Sequence, residues 1–71
     1  MDVRSEINGT VWKVEVTLGD AVAEDDVLII LESMKMEVPV TAPVAGRVRE
    51  LRVGEGDSVK EDQVVVVLET D

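Results

Sequence analysis

Gly9-Thr10-Val11-Trp12-Lys13-Val14-Glu15-Val16-Thr17-Leu18-Gly19-Asp20-Ala21-Val22-Ala23-Glu24-Asp25-Asp26-Val27-Leu28-Ile29-Ile30-Leu31-Glu32 is written a second time in this chain. The second version starts 37 residues later and runs Gly46-Arg47-Val48-Arg49-Glu50-Leu51-Arg52-Val53-Gly54-Glu55-Gly56-Asp57-Ser58-Val59-Lys60-Glu61-Asp62-Gln63-Val64-Val65-Val66-Val67-Leu68-Glu69. Eleven of the 24 aligned positions are identical, without a gap, and others such as Val14 and Leu51 are apolar in both. In so short a chain this is an internal duplication, and it decides how everything around it is read.

Each copy has one grammar. A strand of broadly alternating character (Val11, Val14, Val16; Val48, Leu51, Val53) leads to a Gly-Asp turn at Gly19-Asp20 or Gly56-Asp57. A polar bend follows, Glu24-Asp25-Asp26 or Glu61-Asp62-Gln63, and then an apolar strand, Val27–Leu31 or Val64–Leu68. Gly and Asp suit these places because they tolerate the left-handed backbone of tight turns. The two apolar strands belong in the interior, flanked by charged gatekeepers. No stretch has the spacing of an amphipathic helix longer than about a turn. Between the copies, Met36-Glu37-Val38-Pro39-Val40-Thr41-Ala42 alternates as a strand in which Pro39 must not be needed as a donor. Ala42–Gly46 then turns the chain into the second copy, and Met1 to Ile7 is expected to supply the matching outer strand for the first copy. Trp12 is expected to pack at a sheet face.

A half-domain of this size cannot bury its own apolar face, so the copies must pack against each other about an approximate two-fold axis. The expected fold is all-β, a small sandwich or flattened barrel of two antiparallel sheets, with residues 1–71 as one domain and 9–32 and 46–69 as its half-repeats. Shifting Lys35 by the repeat offset places it just past one chain end or just before the other. The Lys35 turn and the meeting place of the termini should therefore lie at opposite ends of the domain.

Composition narrows the function. The net charge is −9, from 16 acidic and 7 basic residues, which disfavours nucleic acid and anionic lipid as partners. There is no His and no Cys, so the commonest general base, the commonest metal ligand and every thiolate are missing together. Lack of Cys and of an export signal fits a reducing cytoplasm, the expected location. The apolar runs are far too short to span a bilayer. The 45% hydrophobic content, largely Val and Ile, supports an aliphatic core with one aromatic residue, Trp12.

At the centre stands Glu32-Ser33-Met34-Lys35-Met36-Glu37. Glu32 closes one strand and Val38 lies well inside the next, so Ser33 to Met36 is a tight hairpin tip. Two-residue hairpin turns favour Asn-Gly or Asp-Gly because their central residues take positive φ. This tip has neither, although Gly-Asp is used elsewhere in the chain. A lysine on a hairpin tip is ordinarily a solvated charge, and methionines ordinarily fill gaps in a core. Two thioethers beside a lysine at a loop tip are better explained by a partner that covers them.

These features resemble the biotinyl/lipoyl carrier domains, over essentially the whole chain. The likeness rests on Met34-Lys35-Met36 at the hairpin between two quasi-repeated halves, with Gly9, Val11, Gly19-Asp20, Val22, Glu32, Ala42-Pro43, Gly46, Val48, Gly56 and Val59 around it. The resemblance implies a barrel-sandwich hybrid of two four-stranded sheets. It implies that Lys35 takes biotin covalently from biotin protein ligase, which reads Met34 and Met36, with Glu32, Ser33 and Glu37 as further recognition residues. The domain would not be an enzyme. It would carry carboxybiotin between biotin carboxylase and carboxyltransferase, and would be a monomer on its own. Ser33 stands where Ala is more usual, and Asp25 and Asp62 where Gly is frequent. The ungapped repeat leaves no room for the protruding insertion of some bacterial carriers, which makes the chain most like the small stand-alone attachment proteins. Lipoylated members typically carry Asp-Lys-Ala at the tip; a lipoyl or dually modified carrier is the alternative within the fold. A β-barrel adaptor with an unmodified Lys35 is the alternative outside it.

Overall fold

The Val- and Ile-rich runs of the two copies become interior strands of two separate sheets. A computed structural model describes residues 1–70, so Asp71 at the end of the expected domain lies outside the described residues. The strands are β1 (Asp2–Arg4), β2 (Gly9–Val14), β3 (Ala21–Val22), β4 (Val27–Ser33), β5 (Met36–Thr41), β6 (Gly46–Leu51), β7 (Ser58–Val59) and β8 (Val64–Glu69). They form two four-stranded sheets, ordered β1-β8-β6-β3 and β5-β4-β2-β7, with antiparallel pairing throughout. Shifting the second order by the repeat offset, forward for β4 and β2 and back for β5 and β7, returns the first, so the expected pseudo-two-fold fold is the one observed.

Six of these strands were expected from the sequence, but β1 is misplaced by that expectation: it pairs with β8 of the second copy, because the dyad that sets β5 beside β4 in the first copy sets β1 beside β8. β3 and β7 are the additions. Each consists of two residues, and each leaves its own copy. Ala21 and Val22 pair with Arg47 and Gly46, while Ser58 and Val59 pair with Thr10 and Gly9. The halves are thus interlocked as well as packed. Val11 and Val14 are three residues apart, as are Val48 and Leu51, yet all four face the core. A β-bulge between Val11 and Lys13, repeated between Val48 and Glu50, supplies the extra residue. Trp12 sits in the first bulge and is 51% exposed, so it lies on the outer face without being packed down there.

Four turns share one construction. In Thr17–Asp20, Ala23–Asp26, Gly54–Asp57 and Lys60–Gln63 the fourth residue's N–H donates to the first residue's carbonyl. The fourth side chain, an Asp or Gln oxygen, accepts the first residue's N–H in return, at 2.8 to 3.0 Å. The third residue has positive φ in every case: 89° at Gly19, 74° at Asp25, 91° at Gly56 and 71° at Asp62. Asp at the two positions where Gly is frequent does enter the left-handed region.

The core is aliphatic, with Leu28, Ile29, Leu31, Val65, Val66 and Leu68 essentially fully buried. Ser5, 1% exposed, is the one buried polar residue among those described, and its hydroxyl donates to the Ile7 carbonyl at 2.6 Å. Its backbone latches β1 to the turn before β8, through Ser5 N–H to Gln63 O and Asp62 N–H to Ser5 O. Ala42 makes the equivalent latch with Asp26 and Asp25 at the end of β5.

Met1 and Leu68 exchange two hydrogen bonds, from the N-terminal ammonium to Leu68 O at 2.9 Å and from Leu68 N to Met1 O at 2.8 Å. Their counterparts one repeat away are Val38 and Leu31, a paired couple just below the Lys35 tip. Met1 and Leu68 therefore occupy, in one sheet, the place that Val38 and Leu31 occupy beneath the tip in the other. Val22 pairs with Gly46, which abuts Glu69, the neighbour of Leu68. β4 itself runs seven residues from Val27 to the tip, roughly 20 Å at about 3.3 Å per residue, in a molecule 36 Å long.

Candidate attachment site

Ser33 pairs with Met36, which leaves Met34 and Lys35 as the two central residues of the hairpin turn. Both have positive φ, 52° and 64°, which is the type I′ arrangement. This turn matches the right-handed twist of the strands it joins, but it asks two side-chain-bearing residues to stand in the left-handed region. That costs roughly 1–2 kcal/mol per residue for anything other than Gly, Asn or Asp. The described residues contain two other non-glycine positions with positive φ, Asp25 and Asp62, and both are of the tolerant kind. The tip alone forces long aliphatic stems into that backbone. The six-pair β4–β5 ladder, anchored by buried Leu31 and Val40, holds it in place.

The consequence is a convex site. Met34 is 92% exposed and Met36 65%, and Lys35 is exposed between them. The ion pairs among the described residues are Arg4–Asp2, Lys13–Glu15 and Arg52–Glu50, and Lys35 takes part in none. Ser33 is half-buried at the foot of the turn. Glu32 and Glu37 are exposed and directly opposite each other across β4 and β5. Like charges in that relation repel, and no cation among the described residues pairs with them. The turn, its flanking thioethers and two free carboxylates thus lie together at one end of the β5-β4-β2-β7 sheet. Sequence reasoning named all six residues; the register that puts Glu32 against Glu37 came only with the structure.

Gly9 supports this end from below. A Cβ built on it would lie 2.8 Å from the Glu32 carbonyl oxygen, so only glycine lets β2 approach β4 there. Gly46 stands in the same relation to Glu69, again at 2.8 Å. The signal was present in the sequence, since both copies begin with Gly.

Chemically, the tip offers one primary amine and no helper. The chain has no His or Cys, and no cluster of potential metal ligands occurs among the described residues. An amine here can be acylated by an external enzyme, because the side chain is exposed and gives up no ion pair among the described residues. That exposure fits a carboxylic-acid cofactor joined through an amide.

A family profile described as "Biotin-requiring enzyme" matches residues 2–68. A relative from Mycobacterium leprae (strain TN), named biotinylated protein TB7.3 homolog, is 57% identical over 44 residues, 62% of this chain and 62% of the relative. Part of the Kluyveromyces lactis urea carboxylase crystal structure superposes with a TM-score of 0.93 at 35% identity. That match covers 97% of this chain and 6% of the carboxylase. Part of a single-chain, multi-domain long-chain acyl-CoA carboxylase superposes with a TM-score of 0.88 at 29% identity, covering 100% of this chain and 7% of that one. The matched stretch is thus less than two thirds of the curated relative and a small part of each carboxylase.

Proposed function

The chain belongs to the family described as biotin-requiring enzymes, and on that premise we propose that Lys35 carries the biotin and that the domain serves a biotin-dependent carboxylase as its carrier. The observation that carries this reading is a lysine in no ion pair among the described residues, held on a convex two-residue turn whose backbone is unfavourable for the residues it contains. Strain of that kind persists where the surroundings over-determine it, and here it aims one amine away from the body of the domain.

In attachment, the Lys35 Nζ attacks the activated carboxyl group of biotin presented by biotin protein ligase. The C–N bond of the amide forms, the activating group leaves, and the amine loses a proton. The residues flanking Lys35 in the chain offer thioethers and carboxylates and no imidazole, so the proton leaves to the ligase or to water. Met34 and Met36 offer polarizable, adaptable surface to the ligase on either side of the reacting nitrogen. Glu32 and Glu37 offer two uncompensated negative charges to its cations. Biotin, once attached, supplies a ureido nitrogen that accepts and gives up a carboxyl group. The domain's own contribution is positional: it bears the arm at one end and makes each visit to biotin carboxylase or carboxyltransferase effectively intramolecular once docked.

Met34 and Met36 also favour biotin over lipoate as the group attached. Intact mass after coexpression with biotin protein ligase tests the assignment. One biotin is expected on the wild-type chain and none on Lys35→Arg, with the same far-UV circular dichroism for both. Biotin retained by the Arg variant overturns it.

A further inference from the structure

The internal symmetry provides a control that few domains offer: each outer face can be compared with its own copy on the same backbone. On the β5-β4-β2-β7 sheet one outward row is Lys13, Ile30 and Pro39, and the next is Ser58, Thr10, Glu32 and Glu37. Trp12 stands in the bulge between them. The corresponding row of the other sheet is Glu50, Val67 and Asp2, and the next is Ala21, Arg47 and Glu69, with Arg49 in the bulge. Three positions that are charged on one face, Arg49, Asp2 and Arg47, are Trp12, Pro39 and Thr10 on the other. Ile30 is only half-buried while its counterpart Val67 is buried. Folding imposes the same demands on both faces, so it does not explain why the chain's one aromatic residue is left half in water on one of them.

We propose that this outer face, centred on Trp12 with Ile30 and Pro39, is the surface that docks on the enzyme that charges the arm, a biotin carboxylase that binds ATP and bicarbonate. The inference rests on the carrier reading of Lys35. The face runs without interruption into the tip. Leu31, one pair below Trp12's bulge, is two residues from Ser33, or about 7 Å of strand. A partner seated on Trp12 therefore has Lys35 at its edge, within reach of a catalytic site. The tip alone, two methionines and a lysine, is small beside the roughly 800 Å² per partner of a standard interface, and the sheet face extends it.

Charge complements this occupant. Glu32 and Glu37 lie on this face with no cation among the described residues paired to them, and the chain as a whole carries −9. An enzyme that gathers two anionic substrates needs positive charge around its active site, which complements such a face. The exposed indole of Trp12 adds a surface on which a guanidinium or ammonium group can sit.

Trp12 is the only tryptophan, so 5-fluorotryptophan labelling gives a single fluorine resonance that reports this face. Titration of the labelled chain with purified biotin carboxylase from the same organism is expected to shift or broaden it saturably, and less so as salt is raised. The same response is expected from unmodified chain and from Lys35→Arg, so docking is read independently of attachment. In the biotinylated chain, Trp12→Arg, which installs the residue of the symmetric position, is expected to lower kcat/KM for ATP-dependent carboxylation about tenfold, mainly through KM. Labelling by the ligase and the circular dichroism spectrum should stay unchanged, and Arg49→Trp should leave carboxylation at the wild-type rate. An unshifted resonance, or a Trp12→Arg carrier charged normally, overturns the proposal. A resonance that responds only to the ligase, only to carboxyltransferase or only to the concentration of the chain itself assigns the face to another occupant and overturns it equally. Absence of biotin on wild-type chain would instead refute the Lys35 reading, and the fluorine result would still decide the face.

Discussion

Met34 and Lys35 hold a backbone that neither residue favours, and that cost is measurable. Met34→Gly should relieve it at φ 52°, because glycine meets no Cβ clash in the left-handed region. Part of the relief is offset by the greater freedom glycine gives the unfolded chain. A net gain of about 1 kcal/mol is expected, raising Tm by roughly 4–8 °C in a domain of this size, as scanning calorimetry would show. Biotin incorporation should fall in the same variant, since one of the two thioethers is gone. A second residue-scale prediction concerns the facing carboxylates: Glu37→Gln should stabilise the domain by about 0.2–1 kcal/mol in urea denaturation, by removing a cross-strand repulsion. The tip itself was legible in the sequence, because a two-residue hairpin without Asn, Gly or Asp breaks a local rule. The facing of Glu32 and Glu37 was not, because cross-strand neighbours depend on a register that no local pattern states.

At the scale of strands, the glycines that open each copy control how closely β2 meets β4 and β6 meets β8. Gly9→Ala and Gly46→Ala each place a methyl group 2.8 Å from a backbone carbonyl oxygen of an interior strand. A strand hydrogen-bonded on both sides cannot retreat cheaply, so each substitution should cost about 1–3 kcal/mol in urea denaturation. Gly9→Ala should also slow biotin attachment, because the displaced residue is Glu32; Gly46→Ala should not. Pattern reading placed the two apolar strands correctly as interior ones, since five consecutive aliphatic residues have no other home in water. It missed β3 and β7, because a two-residue strand carries no periodicity. It could not account for the three-residue spacing of Val11 and Val14 either, since a bulge shows in the sequence only as an irregularity. Trp12 was expected against a sheet, and the bulge turns it outward.

For the molecule as a whole, the duplication was enough to imply two sheets and an approximate dyad, since neither half has an apolar partner except the other. What it did not imply is the exchange of β3 and β7, which gives each half a strand in the other's sheet. Unfolding should therefore be one cooperative transition, coincident by circular dichroism and by Trp12 fluorescence. A fragment of residues 1–41 contains β1 to β5 but lacks β6 and β8, the partners of β3 and β1. It should show the spectrum of an unfolded chain, and independent folding of that fragment would contradict the interlocked arrangement.

The pairing of Met1 with Leu68 beside the dyad-related position of Lys35 has an engineering consequence. Joining the chain ends through a copy of the Ser33–Glu37 tip, and reopening the chain at the exposed Gly54–Asp57 turn, would give a circular permutant with two lysines on opposite poles of one rigid body. Each pole could be loaded separately, and the intervening barrel would keep the two arms from entering one active site together. Such a bivalent carrier would turn the symmetry of the scaffold into a molecular ruler for the spacing of the enzymes it visits.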